Sequence, residues 1–358
     1  MSAQAHGIDP PENPTDELAG AVTLARHAAA ATAEAGSTGS GGAGDGIADL
    51  LGQIAFAAKV VAREARRAAL VGRVGATGTT NASGDAQKQL DLFANRVFLR
   101  AFAAGRDVAA VVSEELEEPR LQRCDGPAPY LLAIDPVDGS GNVEAGTSIG
   151  TIFGVHRRMA AGPCEDAGAE ILSGAPRVAA GYVLYGPATV LVYTLGARVD
   201  GFTLDPSVGE FLLSHPDVRC PEHGETYSVN TGNSDRWSPA VRRFVEGLND
   251  PGDPDGGARH PYSLRYSGAL VADLHRILLE GGIYCYPADR EHPEGKIRLL
   301  YEAAPLAFLV EAAGGAASNG RGRLLGVAPE SLHQPVPLAL GSRREVAAFE
   351  KLVSREAA

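Results

Sequence analysis

The chain lacks any long apolar run, and no stretch approaches the roughly 18 residues that a membrane-spanning helix needs. It also lacks an excess of basic charge. Lys and Arg number 32 against 44 Asp and Glu, a net charge of −12. The acids are scattered rather than gathered in a tail, so neither a nucleic-acid partner nor a membrane surface is expected. The N-terminus has no basic start followed by an apolar core, and Asp9, Glu12, Asp16 and Glu17 are unlike a transit peptide, which makes the cytoplasm the expected compartment. Cysteine is scarce: Cys124, Cys164, Cys220 and Cys285 form no Cys-x-x-Cys and have no His at zinc-finger spacing, so they are expected as reduced thiols. Lysine is scarce too. Only Lys59, Lys88, Lys296 and Lys351 occur, and nearly every other cation is written as Arg.

What is present describes a globular protein. With 358 residues, 44% of them hydrophobic, the chain can bury one large core or two ordinary ones. Residues 1–45 are rich in Ala and Gly and read as a mobile extension with some helix near 18–31. Residues 46–205 and 206–358 are expected as two further units, divided within 199–206. Apolar residues recur at helical spacing from Ile47 to Val61 and again from Leu270 to Leu278, where Gly281-Gly282 ends the pattern. Residues 77–83 read as a polar loop, 108–112 and 130–134 as buried strands, 159–176 as a loop excursion, and 296–314 as an apolar helix interrupted near Pro305. Strands and helices mixed at these spacings predict a layered α/β or α+β fold rather than a strict βαβ series.

Chemistry concentrates where strands end. The run Tyr-Leu-Leu-Ala-Ile at 130–134 stops at Asp135-Pro-Val-Asp138, followed by Gly139-Ser140-Gly141-Asn142. Two carboxylates three residues apart, with the Val137 carbonyl between them, can converge on a hard divalent cation. The glycine-rich run after them can aim successive N–H groups at an anion. The same segment is also a good surface turn, since Asp, Pro and Gly each favour turns. Residues 108–112 are likewise followed by acids, Ser113-Glu114-Glu115, and sites in open α/β sheets gather at strand carboxyl ends. Arg265, Tyr266, Tyr286, Lys296 and Arg298 have the mixed ammonium and guanidinium chemistry of a pocket for a second phosphate, and their spacing equally fits scattered surface residues.

Six segments, in order, resemble class I fructose-1,6-bisphosphatase from about residue 47 to the end. They are Gly-Asp-x-x-Lys-x-Leu-Asp at 84–91, Ser113-Glu114-Glu115, Asp-Pro-x-Asp-Gly-Ser-x-Asn at 135–142, Tyr-Ser-Gly-x-x-Val-Ala-Asp-x-His-Arg at 266–276, Gly-Gly-Ile-x-x-Tyr-Pro-Ala at 281–288, and Gly-Lys-Ile-Arg-Leu-Leu-Tyr-Glu at 295–302. The resemblance implies a two-domain, five-layer α-β-α-β-α sugar-phosphatase fold that removes the 1-phosphate of fructose 1,6-bisphosphate with two or more Mg²⁺, Mn²⁺ or Zn²⁺ being possible substitutes. It places Glu114, Glu115, Asp135, the Val137 carbonyl, Asp138 and Glu302 at metal positions. Asp85, Asp91 and Glu115 fall on catalytic positions, with Glu115 and Asp91 handling the proton of the attacking water. Gly139 and Ser140 fall on the 1-phosphate cradle, and Asn230, Arg265, Tyr266, Tyr286 and Lys296 on the 6-phosphate pocket, with Arg298 beside them. It implies a homotetramer in which Arg265 reaches into a neighbouring subunit, and a role in gluconeogenesis or the Calvin cycle.

Departures from the family pattern carry expectations of their own. Gly141 replaces a serine, Glu144 an aspartate, and Thr231 and Asn233 stand where Glu and Tyr are common. These changes leave room for a longer sugar such as sedoheptulose 1,7-bisphosphate. Gly46 and Ala48 stand near expected Glu and Thr, and Pro129 where a lysine would precede Tyr130, so weak or absent inhibition by AMP is expected, to be read in an AMP titration of phosphate release. The other readings are an inositol-type monophosphatase, against which the second phosphate pocket speaks, and a non-catalytic regulatory homologue, against which the full carboxylate set speaks.

Overall fold

A computed structural model describes residues 20–37, 46–82, 84, 86–122, 128–159, 166–250 and 261–356. Helix α1 (Leu24–Ser37) realises the helix expected near 18–31 but starts later. Its Leu24 and Ala28 are buried, and His27 Nδ1 lies 2.8 Å from the Tyr193 hydroxyl. This part of the extension is therefore packed, in contrast to the mobile segment expected there; residues 1–19 and 38–45 lie outside the described residues. Helix α2 (Ile47–Ala65) buries Ile47, Leu50, Leu51, Ile54, Ala58 and Val61, the stripe that its sequence spacing predicts.

The stretch expected as a polar loop at 77–83 is in part a hairpin. Strand β1 (Ala76–Thr80) pairs antiparallel with β2 (Ala86–Lys88). A run of exposed Thr and Gly offers no period-2 apolar signal, so its β-branched content was the only clue. Helix α3 (Gln89–Ala104) follows directly. The main sheet has eight strands: β3 (Val108–Ser113), β4 (Arg120–Leu121), β5 (Tyr130–Asp138), β6 (Ile149–Arg157), β7 (Arg177–Tyr185), β8 (Thr189–Thr194), β9 (Val199–Asp205) and β10 (Glu210–His215), in the order β10-β9-β8-β7-β6-β5-β3-β4. Only β3 and β5 run parallel; the other neighbours are antiparallel, so the sheet is no βαβ series. Because β10 pairs with β9, the sheet continues past Asp205, where the sequence suggested a division. Helix α4 (Ala167–Leu172) occupies part of the expected loop excursion.

The smaller sheet holds β11 (Thr226–Ser228), β12 (Ser263–Leu264), β13 (Ile283–Tyr286), β15 (Ala316–Ser318) and β17 (Leu338–Gly341), in the order β12-β11-β13-β17-β15. A short pair, β14 (Ile297–Arg298) with β16 (Pro335–Val336), stands beside it. Helices α5 (Pro239–Asn249) and α8 (Arg343–Glu356) cover its outer face, while α6 (Leu270–Glu280) and α7 (Ala304–Ala312) fill the space between the sheets. Helices α1 to α3 cover the other face of the eight-stranded sheet. The layers therefore alternate α-β-α-β-α, five in all, as expected.

One expected helix is remodelled. Residues 297–298 form β14, Leu299–Ala303 a π-helical turn, and only then does α7 begin, with Pro305 in its first turn. Proline there needs no N–H and fits the first turn, so it starts a helix rather than interrupting one.

Candidate active site

Strands β3 and β5 are parallel neighbours, and both end in acids. The Glu114 N–H donates to the Ile134 carbonyl at 3.2 Å, which fixes the exit of β3 beside Asp135. Strand β5 is buried along its whole length, so its two aspartates are carried inside the protein by the apolar run before them. Asp135 is 1% exposed and Asp138 7%. Glu302 comes from the π-helical turn ahead of α7. Oxygens of Asp135, Asp138 and Glu302 lie within 4.8 Å of one another.

Each carboxylate is oriented by backbone. The Val137 N–H donates to Asp135 Oδ1 at 2.9 Å, and the Arg298 N–H donates to Glu302 Oε2 at 2.6 Å. Asp138 is held by two N–H groups, those of Leu270 and Val271, at 3.0 and 2.7 Å. Its carboxylate thus closes the N-terminus of α6, whose own cap residue is Ala269 and supplies no oxygen. The close approach depends on two glycines. Gly139 sits at φ 73°, and a Cβ there would lie 2.5 Å from the Ala269 Cβ; a Cβ on Gly150 would lie 2.5 Å from Val271.

Burial and mutual repulsion outweigh the cations Arg298 and Lys88 at these carboxyl groups. Burial, then Glu114, Glu302 and Asp138, push the Asp135 carboxyl well above its ordinary range. Burial and then Glu114 do the same to Glu302. Asp138 is pushed up to about 6 by burial, against the lowering of its two N–H donors. Asp91, in the first turn of α3, accepts the Lys88 N–H at 2.7 Å while its Oδ1 is buried with no hydrogen-bond partner among the described residues. Burial first, then Glu115 and Glu114, lift it to about 7. Buried carboxylates that repel one another this way are matched by cations with hard oxygen preference, which makes the donor set fit divalent metal.

The hairpin supplies residues that the sequence did not single out. Asn81 Nδ2 donates to Glu114 Oε1 at 3.1 Å, and Gln87 Nε2 donates to Glu115 Oε2 while the Thr79 hydroxyl donates to Gln87 Oε1 at 2.8 Å. Alternating polar residues ahead of α3 were the available signal. Lys88 Nζ pairs with Glu144 at 3.0 Å. Asp85 lies outside the described residues.

After Asp138, Gly139 and a short turn at Ser140–Asn142 follow, and Asn142 Nδ2 donates to the carbonyls of Ser148 and Ser267 at 2.9 and 3.0 Å. Asp273, also missed, accepts the Ser267 N–H with both oxygens and steadies the loop before α6. Tyr266 is 38% exposed, and burial and then Tyr286 push its hydroxyl up to about 12. Asn230 accepts the Gly232 N–H at 3.1 Å. Arg265 is exposed, and Lys296 and Arg298 are half-buried at β14.

Fold and site together define a layered α/β protein with a carboxylate-built candidate cation centre at the carboxyl ends of β3 and β5. Residues 23–216 match the family model "Fructose-1-6-bisphosphatase, N-terminal domain", and residues 220–354 match "Fructose-1-6-bisphosphatase, C-terminal domain". The chain belongs to the class 1 fructose-1,6-bisphosphatase family. It is 51% identical over 309 residues to the Acaryochloris marina protein "Fructose-1,6-bisphosphatase class 1 2", covering 86% of this chain and 92% of that one. A Sorangium cellulosum "Fructose-1,6-bisphosphatase class 1" is 50% identical over 308 residues, 86% of this chain and 88% of that one. Among solved structures, the holo form of Leishmania major fructose-1,6-bisphosphatase is similar at TM-score 0.84 and 38% identity, covering 93% of this chain and 98% of that one. Among the described residues, no helix is long and apolar enough to cross a membrane.

Proposed function

We propose that the protein hydrolyses the 1-phosphate of fructose 1,6-bisphosphate, giving fructose 6-phosphate and phosphate. The observation that carries this reading is the convergence of Asp135, Asp138 and Glu302 beside Glu114, in a chain about half identical to proteins of that name over most of its length. Glu114, Glu115, Asp135, Asp138, Glu302 and the Val137 carbonyl would hold two or more Mg²⁺. When bound, such ions activate water and neutralise the leaving oxygen of an in-line displacement.

The chain's own groups do the rest. Asp91 and Glu115 accept the proton of the attacking water, and a carboxyl lifted to about 7 is suited to exchanging a proton near neutral pH. Asn81 and Gln87 tie the hairpin to Glu114 and Glu115, so the loop and the acids are positioned together. Gly139 and Ser140 receive the 1-phosphate, where most of the rate comes from placement because a loose phosphoryl transition state needs little covalent help. Asn230, Tyr266, Tyr286, Lys296 and Arg298 hold the distal phosphate. Arg265 completes that pocket in a neighbouring subunit of a cytoplasmic homotetramer.

The test is phosphate release from fructose 1,6-bisphosphate, sedoheptulose 1,7-bisphosphate and inositol 1-phosphate, with Mg²⁺ and again with EDTA. Metal-dependent release fastest from the fructose ester is expected. Release from none of the three by folded protein would overturn the reading.

A further inference from the structure

Strand β6 has a second charged end. His156, near its C-terminus, lies directly opposite Arg177, at the start of β7. His156 is 4% exposed, and its Nδ1 is 2.8 Å from the Ala175 carbonyl oxygen. A carbonyl oxygen can only accept, so Nδ1 carries the proton and Nε2 presents a bare lone pair. That Nε2 is buried with no partner among the described residues, and so is Arg177 Nε. Among the described residues no carboxylate answers the guanidinium, and burial alone pulls Arg177 down to about 10. Burial first and then Arg177 bring His156 down to about 3, which keeps the imidazole neutral.

Both groups line one cavity of about 320 Å³. Its walls are apolar and include the buried Ile171, Leu299, Leu300 and Leu324, and it opens to solvent past the exposed Gly174 and Gly326. None of the carboxylates of the cation centre lines it. Arg177 as a whole is half-buried, but its Nε is buried, and a buried charged donor left unanswered is costly to keep unless an acceptor joins it.

We infer that this cavity binds a small organic anion: an acid group accepting from Arg177 Nε, a hydroxyl donating to His156 Nε2, and an apolar body against the leucine walls. Hydroxycarboxylates and singly protonated phosphate monoesters share that chemistry. The inference stands apart from the phosphatase reading, since it uses no residue placed in the catalytic or substrate site.

The experiment is titration calorimetry on the intact Mg²⁺-treated protein with mandelate, phenylacetate, phenyl phosphate and benzyl alcohol. Mandelate or phenyl phosphate is expected to bind, and benzyl alcohol not to bind. Phenylacetate, which lacks the hydroxyl, is expected to bind more weakly than mandelate; equal affinity would overturn the role given to His156. Arg177→Leu is expected to weaken binding at least about tenfold, the loss of a charge-assisted hydrogen bond, and to leave phosphate release unchanged. Should that variant not fold, the same loss is read in Arg177→Gln. Absence of binding by both mandelate and phenyl phosphate to the parent protein, or undiminished binding to the Arg177 variant, overturns the site.

Discussion

The two ends of β6 invite comparison, because each carries charge of one sign, buried at one end and half-buried at the other. At its start, Gly150 pairs with Asp138 and the neighbourhood holds Asp135 and Glu302; near its end, His156 pairs with Arg177. Among the described residues, Arg298 only partly offsets the repulsion at the acidic end, and no carboxylate answers Arg177 at the basic end. The acidic end is crowded, so its members raise one another, whereas the basic end has one cation in an apolar cavity. The difference teaches what each end wants: several converging carboxylates fit multivalent cations, and one guanidinium beside a bare lone pair fits a single acid group with a hydroxyl.

The comparison breaks first at Asp138. Asp138→Asn removes a charge from the centre and weakens the hold on α6, and metal-dependent phosphate release is expected to fall by more than about a hundredfold, beyond the usual cost of losing an outer partner of a metal ligand. Activity within tenfold of the parent would remove Asp138 from the centre. Next is Gly139→Ala, whose methyl group would press on Ala269 at a positive φ. Denaturant unfolding is expected to show a loss of about 1–3 kcal/mol, with release reduced in proportion to the displaced α6.

Gln87→Leu cuts the tie between hairpin and Glu115, and kcat is expected to drop about tenfold with KM little changed, as for a supporting partner in a metal site. A change in KM alone would speak against positioning. Smaller still is the pH effect of Asp91. Its folded carboxyl titrates near 7 rather than at its ordinary 3.8, so the folded state binds the proton more tightly. The stability this adds is full below about pH 4 and is lost as pH rises through 7. In EDTA, the stability difference between the parent and Asp91→Asn is therefore expected to shift against the parent from pH 4 to 7 and to level off above; a flat difference would contradict the shift.

Much of the acidic end was legible in the sequence, because acids follow the unbroken apolar runs at 108–112 and 130–134 that read as buried strands, although β5 runs on through Asp135 to Asp138. The five layers were expected from the resemblance, and the mixed strand and helix spacing excluded a strict βαβ series unaided. Three things were hidden. The hairpin has exposed Thr and Gly where a buried strand would show period 2. Asp138 closes a helix more than a hundred residues away, which no local pattern reports. His156 and Arg177 meet only through sheet register, which no local pattern around either residue reports.

The most direct test of the charge imbalance is the thermal midpoint of the parent and Asp135→Asn, each with Mg²⁺ and with EDTA. Asparagine keeps the acceptor for the Val137 N–H and removes one of the repelling charges. The account predicts a crossover, with the variant more stable than the parent in EDTA and less stable in Mg²⁺. A variant less stable in both would contradict it, since the carboxylates would then be stabilising one another without a cation.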